Sequence, residues 1–373
     1  MNGLGLYVHI PFCKSKCHYC DFCSFPHAET KMEAYCDALV KEITETARVY
    51  GDRPVDTVYF GGGTPTTLPL PLISKLTKAI FGLFNVTKDA EITTECNPGT
   101  VDLDFLCALR ALGFNRLSIG AQSMNDRELK LLGRIHTTRE TAETVQNARR
   151  AGFDNISLDL MLGIPEQTPE SLEGSLRALV ALAPEHISAY GLKIEEGTPF
   201  FAQKDTLPLP DEDTERVLYM NTVAFLARHC YARYEISNFA RPGYESRHNL
   251  RYWRRQDYLG LGLAAHSCVG SRRFWNTHSL PDYLAGKTED GSETVSPHDI
   301  LCEKIMLAMR LDEGLDTRTL GEDAEPYIKG LLRFLPVGLV KKEGDRISFT
   351  SDGMYVSNAI LAEVLNFEEN NTT

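Results

Sequence analysis

Short apolar runs at 4–10, 55–60, 91–95, 116–120, 156–160 and 186–190 alternate with helix-patterned segments, among them 31–50 and 72–84. This alternation constrains the fold more than any other feature of the chain. Leu4–Ile10 is apolar nearly throughout, as a strand buried on both faces of a parallel sheet is. Six strand-then-helix units within about 190 residues therefore imply an α/β fold with a parallel sheet. Six strands are too few to close an eight-stranded barrel. The expectation is a partial (β/α)6 barrel whose lateral gap admits a large substrate.

In such folds the chemistry gathers at the C-terminal ends of the strands. The first run leads directly into Cys13, Cys17 and Cys20, spaced C-x3-C-x2-C. Thiolates are soft, charged ligands, and three on one tight loop suit an iron–sulfur cluster better than a hard cation. A fully ligated [4Fe–4S] cluster uses four cysteines, so three would leave one iron open to a further ligand. Zinc would recruit a second C-x-x-C or H-x-H pair downstream, and none is evident. A disulfide would need an oxidising compartment, and no signal peptide precedes the loop.

A length of 373 residues supports one large domain and a smaller one. With 43% hydrophobic and 24% charged residues, the chain reads as a soluble globular protein. A net charge of −12 argues against a nucleic acid as its main partner. No apolar run approaches the ~18 residues of a membrane span. The protein is therefore expected in a reducing cytoplasm. Cys36, Cys96, Cys107, Cys230, Cys268 and Cys302 are scattered and read as small core residues.

The second run opens into Gly61-Gly62-Gly63-Thr64-Pro65-Thr66. Glycines let backbone groups approach a ligand closely, and a glycine run one βα unit past a cluster loop is well placed to do so. The third run ends in Glu95, whose carboxylate can accept from ribose hydroxyls; the structural alternative is a helix cap. His186 begins the sixth run, on the face associated with stability, and reads as structural.

The segment 7–22, YVHIPFCKSKCHYCDF, resembles the opening of the radical S-adenosylmethionine (SAM) proteins related to oxygen-independent coproporphyrinogen III dehydrogenase. The GGGTPT segment continues the likeness. The resemblance implies a [4Fe–4S] cluster on Cys13, Cys17 and Cys20, with SAM chelating the open iron. It implies SAM contacts from Tyr7, Tyr19, Gly62, Gly63, Thr64, Glu95, Gln122, Arg134, Asp159 and Gly191. In the dehydrogenases an extra cysteine stands two residues after the third; here that position is Phe22, and Cys23 does not match it.

A second informative stretch is His248-Asn249-Leu250-Arg251-Tyr252-Trp253. A histidine, an amide and two adjacent aromatics suit a flat, metal-bearing ring; the structural alternative is a packed loop with a satisfied histidine. This stretch resembles the HNxxYW motif of the haem-chaperone branch of the family, which implies haem contacts from His248, Asn249, Tyr252 and Trp253. The segment 259–267 resembles the GxGxxAHS stretch that follows in that branch, where His266 either faces the cofactor or is core.

Segment 204–213 reads as a linker and 215–231 as a helix. From Asp299 the pattern changes to helices over 300–310, 325–335 and 353–365, with a hairpin signal at Gly344-Asp345. These form a winged-helix-like α+β module for structure or partner docking, since no basic recognition helix is present. Three domains are expected: a radical SAM partial barrel over 1–203, a linker and extension over 204–298, and the C-terminal module over 299–373.

Phe22, the HNxxYW stretch and the six residues before Tyr7 favour a haem chaperone that delivers haem to apo-proteins such as membrane respiratory enzymes. The alternative is oxidative decarboxylation of coproporphyrinogen III. Peripheral membrane contact and a homodimer are compatible with either.

Overall fold

The computed structural model describes residues 3–365. Six strands, β1 (Leu4–Ile10), β2 (Pro54–Gly62), β3 (Asn85–Cys96), β4 (Arg116–Gln122), β5 (Ile156–Leu162) and β6 (His186–Gly191), lie parallel in chain order. The intervening helices include α1 (Met32–Tyr50), α2 (Leu70–Leu83), α3 (Leu103–Ala111), α4 (Thr138–Arg150) and α5 (Pro169–Ala181). β1 is buried on both faces, which is why its sequence is a continuous apolar run and does not alternate. Tyr35, Leu39 and Ile43 of α1 are buried in the same core as Leu4, Leu6 and Val8.

The helix starts follow local chemistry. The Thr137 hydroxyl accepts from the Glu140 amide, and the Glu140 carboxylate accepts from the Thr137 amide, a reciprocal cap at the start of α4. Thr168 and Ser171 make the equivalent pair at α5.

After α6 (Glu212–Arg228) the chain adds strands to both margins of the sheet: β7 (Ala232–Glu235), β8 (Asn238–Ala240), β9 (Tyr258–Leu261), β10 (His266–Val269), β11 (Arg272–Asn276) and β12 (Glu289–Thr294). The short helix α7 (Arg247–Trp253) separates β8 from β9. β9 pairs parallel with β1, giving a seventh parallel strand that the sequence pattern did not reveal. The order is β12-β11-β10-β9-β1-β2-β3-β4-β5-β6-β8-β7, so the sheet has two free margins and does not close. The extension is thus part of the barrel sheet and embraces it from both sides.

The C-terminal region has its own apolar core, with Ile305, Met309, Tyr327, Leu331, Ile347 and Phe349. It comprises α8 (Pro297–Ala308), α9 (Glu325–Leu332), the hairpin β13 (Val340–Glu343) and β14 (Arg346–Phe349), then α10 (Ser351–Tyr355) and α11 (Ser357–Leu365). Gly344 takes φ +60° in the hairpin turn, where a side chain would be strained. The expected helix over 353–365 is two helices; the Thr350 hydroxyl caps the first by accepting from the Gly353 amide. The helix expected over 325–335 ends at Leu332, and β3 begins at Asn85, earlier than expected. Among the described residues no helix is long and apolar enough to cross a membrane.

Candidate functional site

The cysteine loop leaves the C-terminal end of β1. Its two ends are tied by a short parallel pairing of Phe12–Cys13 with Phe25–Pro26. The His18 amide donates to Leu132 O at 3.1 Å and fastens the loop to the barrel wall. Cys13, Cys17 and Cys20 are half-buried free thiols. Burial pushes the Cys13 and Cys20 thiols above their ordinary range, so their charged forms need a compensating cation. Arg134 Nη1 donates to Cys17 Sγ at 3.5 Å. Among the described residues no three His, Cys, Asp or Glu groups converge on a point for one metal ion. The three thiols instead line the mouth of a cavity of about 320 Å3 inside the barrel.

Eight of the expected SAM residues line that cavity: Tyr19, Gly62, Gly63, Thr64, Glu95, Gln122, Arg134 and Asp159. All but Asp159, which is midway along β5, come from a strand end or the segment that follows it. At Gly63 a Cβ would sit 2.7 Å from Phe12 O and 3.0 Å from Cys13 Sγ, so only glycine lets the β2 loop lie against the cysteine loop. Arg134 donates to Asn97 Oδ1 at 2.6 Å and Gly120 O at 2.7 Å, and Asn97 Nδ2 donates to Thr64 Oγ1 at 2.8 Å. Gln122 sits at φ +64°, a strained backbone for a buried strand-end residue, and accepts from Tyr190 Oη at 2.7 Å.

Two buried carboxyls face the cavity. Glu95 accepts from Tyr59 Oη at 2.8 Å and from the Gly62 amide at 3.2 Å, yet burial pushes it up to about 7. Asp159 is pushed up to about 6, again by burial, and accepts from Ser118 Oγ at 3.3 Å. Arg116 also lines the cavity, almost wholly buried, and its Nε has no hydrogen-bond partner. Buried acceptors and donors left partly unsatisfied suit a polar ligand with hydroxyl and charged groups. The soft donor set at the mouth, the glycine strip and these groups fit a cluster with an aminoacyl nucleoside beside it.

Other expected residues lie elsewhere. Gly191 lines a separate cavity of about 200 Å3 with Tyr219, Met354 and Tyr355, against the C-terminal region. Tyr7 faces a second cleft described below. The four residues expected at haem are divided: Asn249 lines the barrel cavity, Tyr252 the second cleft, and Trp253 neither.

His248 is 1% exposed, and both ring nitrogens are engaged, Nδ1 with Thr57 Oγ1 at 2.9 Å and Nε2 with Tyr252 Oη at 2.8 Å. Its ring stacks on Tyr59 at 5.2 Å, and burial drives it down to about 3. In this structure the His248 imidazole bridges α7 and β2 through these two hydrogen bonds. The carboxylate of Glu91 accepts from the Arg247 and His248 amides and fixes the helix start there.

His186 is structural as expected, bonded to Ser157 Oγ and Tyr234 Oη, both at 2.8 Å. Cys36, Cys96 and Cys268 are buried, but Cys107 and Cys230 are exposed, against the expectation of core positions. Sequence reasoning missed Tyr59, Asn97, Arg116 and Tyr190. Only their position at inward-facing points of strands or in the loops after them could have marked them.

The second cleft, of about 650 Å3, opens on the other side of the cysteine loop. It shares Lys16, Phe22 and Ser24 with the barrel cavity. Its other walls include Tyr7, His9, Cys23, Tyr252, Tyr258, His266 and His278.

The open parallel barrel with a three-thiol loop at its mouth defines a radical SAM protein. Residues 7–179 match the Radical SAM superfamily, a family that carries a [4Fe–4S] cluster and SAM, and residues 295–356 match the HemN C-terminal domain. The chain is 33% identical to heme chaperone HemW of Bacillus subtilis, covering 96% of this chain and 98% of that one. It is 40% identical to heme chaperone HemW of Escherichia coli over 71% of this chain and 70% of the other. The chain belongs to this HemW family. The structure of coproporphyrinogen III oxidase (HemN) from Escherichia coli, described as a radical SAM enzyme, superposes with a TM-score of 0.87 at 29% identity, covering 98% of this chain and 90% of that one.

Proposed function

We propose that this chain carries haem to apo-proteins, with a [4Fe–4S] cluster on Cys13, Cys17 and Cys20 and SAM in the barrel cavity. When bound, the cluster supplies an electron-transfer centre with one iron open to chelation. The glycine strip Gly62 to Thr64 would lie along the methionyl part, and Glu95 would accept from the ribose hydroxyls. Arg134, already braced against Asn97 and Gly120, would present its remaining charge to the ligand carboxylate. Gln122 and Asp159 complete the polar wall, with Tyr19 beside the thiols. We place the protein in the cytoplasm, with respiratory enzymes among its haem acceptors.

The observation that carries this reading is the open cleft beside the cofactor cavity. A flat ring there is reachable from solvent and free to leave, as a cargo must be. The near-full-length similarity to heme chaperones supports the same conclusion. A second reading, a porphyrinogen oxidase, is favoured by the superposition on HemN. The test is a haemin titration of anaerobically reconstituted protein, run beside an assay with coproporphyrinogen III, SAM and a reductant. The carrier reading expects a shifted Soret band and no decarboxylation. Turnover to protoporphyrinogen IX would overturn it.

A further inference from the structure

Resting on the proposal that SAM occupies the barrel cavity, we infer that the floor of the same cavity is a second binding site, centred on Arg116, for a small carboxylate that also carries a hydrogen-bond donor. In the SAM reading the one carboxylate of that cofactor is met by Arg134 at the mouth. Arg134 is held there by Asn97 Oδ1 and Gly120 O. Arg116 is a second guanidinium with no such support. It is 2% exposed, it lines the cavity, and its Nε has no hydrogen-bond partner. Among the described residues it makes no salt bridge either.

The two arginines belong to different levels of the barrel. Arg116 opens β4, whereas Arg134 bonds Gly120, four residues further on and roughly 13 Å along the strand. The register partner of Arg116 on β3 is Thr93, whose Oγ1 is buried and without a partner as well. Asn238 of β8 lines the cavity with its Oδ1 buried and unpartnered, while its Nδ2 donates to Glu235. Ser118, Ser188 and Ser237 add small polar groups to the same lining.

A buried cation is costly unless it is paired, and a buried amide oxygen is costly unless it accepts a hydrogen bond. The carboxyls in the cavity do not relieve Arg116. Glu95 and Asp159 are both pushed by burial toward the neutral acid, and neither pairs with it. A planar carboxylate matches the fork of a guanidinium and supplies the missing charge. The orphaned Asn238 Oδ1 asks in addition for an O–H or N–H. Both demands are met by one ligand that bears a carboxylate and a hydroxyl or amino group.

The experiment is calorimetry of the full-length, anaerobically reconstituted protein saturated with SAM. L-lactate, propionate, propionamide and chloride are titrated at constant ionic strength. L-lactate is expected to bind several-fold more tightly than propionate, and the uncharged propionamide at least about tenfold more weakly than propionate. Arg116→Gln should weaken L-lactate at least about tenfold with cluster absorbance and circular dichroism intact. Arg116→Met removes an unpaired buried charge. Without ligand it should melt no lower than wild type, and it should lose the rise in midpoint that L-lactate gives wild type. The floor site is overturned if propionamide or chloride binds as tightly as propionate, or if L-lactate displaces SAM. It is overturned equally if Arg116→Gln binds L-lactate like wild type or loses SAM together with it. A low melting midpoint for Arg116→Met would make the side chain a structural strut and sink the site. If SAM binds and L-lactate does not, the floor site alone fails; if SAM itself does not bind, the cofactor reading fails with it.

Discussion

The barrel cavity and the open cleft share Lys16, Phe22 and Ser24 but are otherwise built from different parts of the chain. The cavity is walled by strand ends of the parallel sheet. Its polar groups are buried and braced: Arg134 by two acceptors, Glu95 by two donors, Gln122 by Tyr190. The cleft is walled by the cysteine loop, by Tyr7 and His9 of β1, and by residues of β9 and β10 that the extension adds beside it. Two of its three imidazoles, His266 and His278, are exposed, and its rim aromatic Phe22 stands largely in water. Enclosure and preorganisation suit a cofactor that is kept; openness with free ligands suits a cargo that is passed on.

The contrast is sharpest at the thiols. Cys17→Ala should abolish the anaerobic cluster absorbance at about 400 nm while leaving the haemin Soret shift in place. Loss of both together would mean that the two sites are one. Next in size is the glycine strip. A side chain at Gly63 would collide with Phe12 O and Cys13 Sγ. Gly63→Val should therefore weaken SAM binding by at least about tenfold in calorimetry, with haemin affinity unchanged.

His248 separates structure from ligation. Removing an imidazole that fills two buried hydrogen bonds should cost about 2–4 kcal/mol in denaturant melts. A Soret band that moves in the folded variant would give His248 a haem contact beside its packing role.

The buried carboxyls make the SAM-free cavity sensitive to pH. Burial raises Glu95 from 4.5 to about 7, so the native state favours its protonated form. The associated stability is complete below the unfolded value and is lost as pH rises through about 7. Apo-protein should therefore lose about 1–3 kcal/mol over that window, and Glu95→Gln should flatten the slope. A flat wild-type profile would remove Glu95 from the list of uncompensated groups. The smallest effect belongs to the shared rim. Phe22→Ser should weaken haemin binding only about two- to threefold, since Phe22 stands exposed at the rim.

The parts of this molecule legible in the sequence are those encoded within a few residues. Leu4–Ile10 announces a doubly buried strand, Gly344-Asp345 a hairpin, and C-x3-C-x2-C a soft-metal loop at a strand end. Eight of the positions singled out in the sequence, six of them polar, line one cavity because a parallel barrel points the ends of its strands at one mouth. The motif over 248–253 is less legible, because its side chains part company in the fold. Its six residues span nearly two helical turns, so His248 and Tyr252 share a face while Asn249 points elsewhere. His248 goes inward, Asn249 to the cavity and Tyr252 to the cleft.

What the chain order alone determines here is the alternation of strands and helices and the cysteine loop that the first strand delivers, since both depend on local burial pattern and spacing. Pairing between distant segments decided the rest. That β9 joins β1, that the extension flanks both sheet margins, and that His266 and His278 reach one cleft depend on backbone registers between distant segments. Those registers are set by which apolar faces can be buried together, a choice no short window of sequence contains.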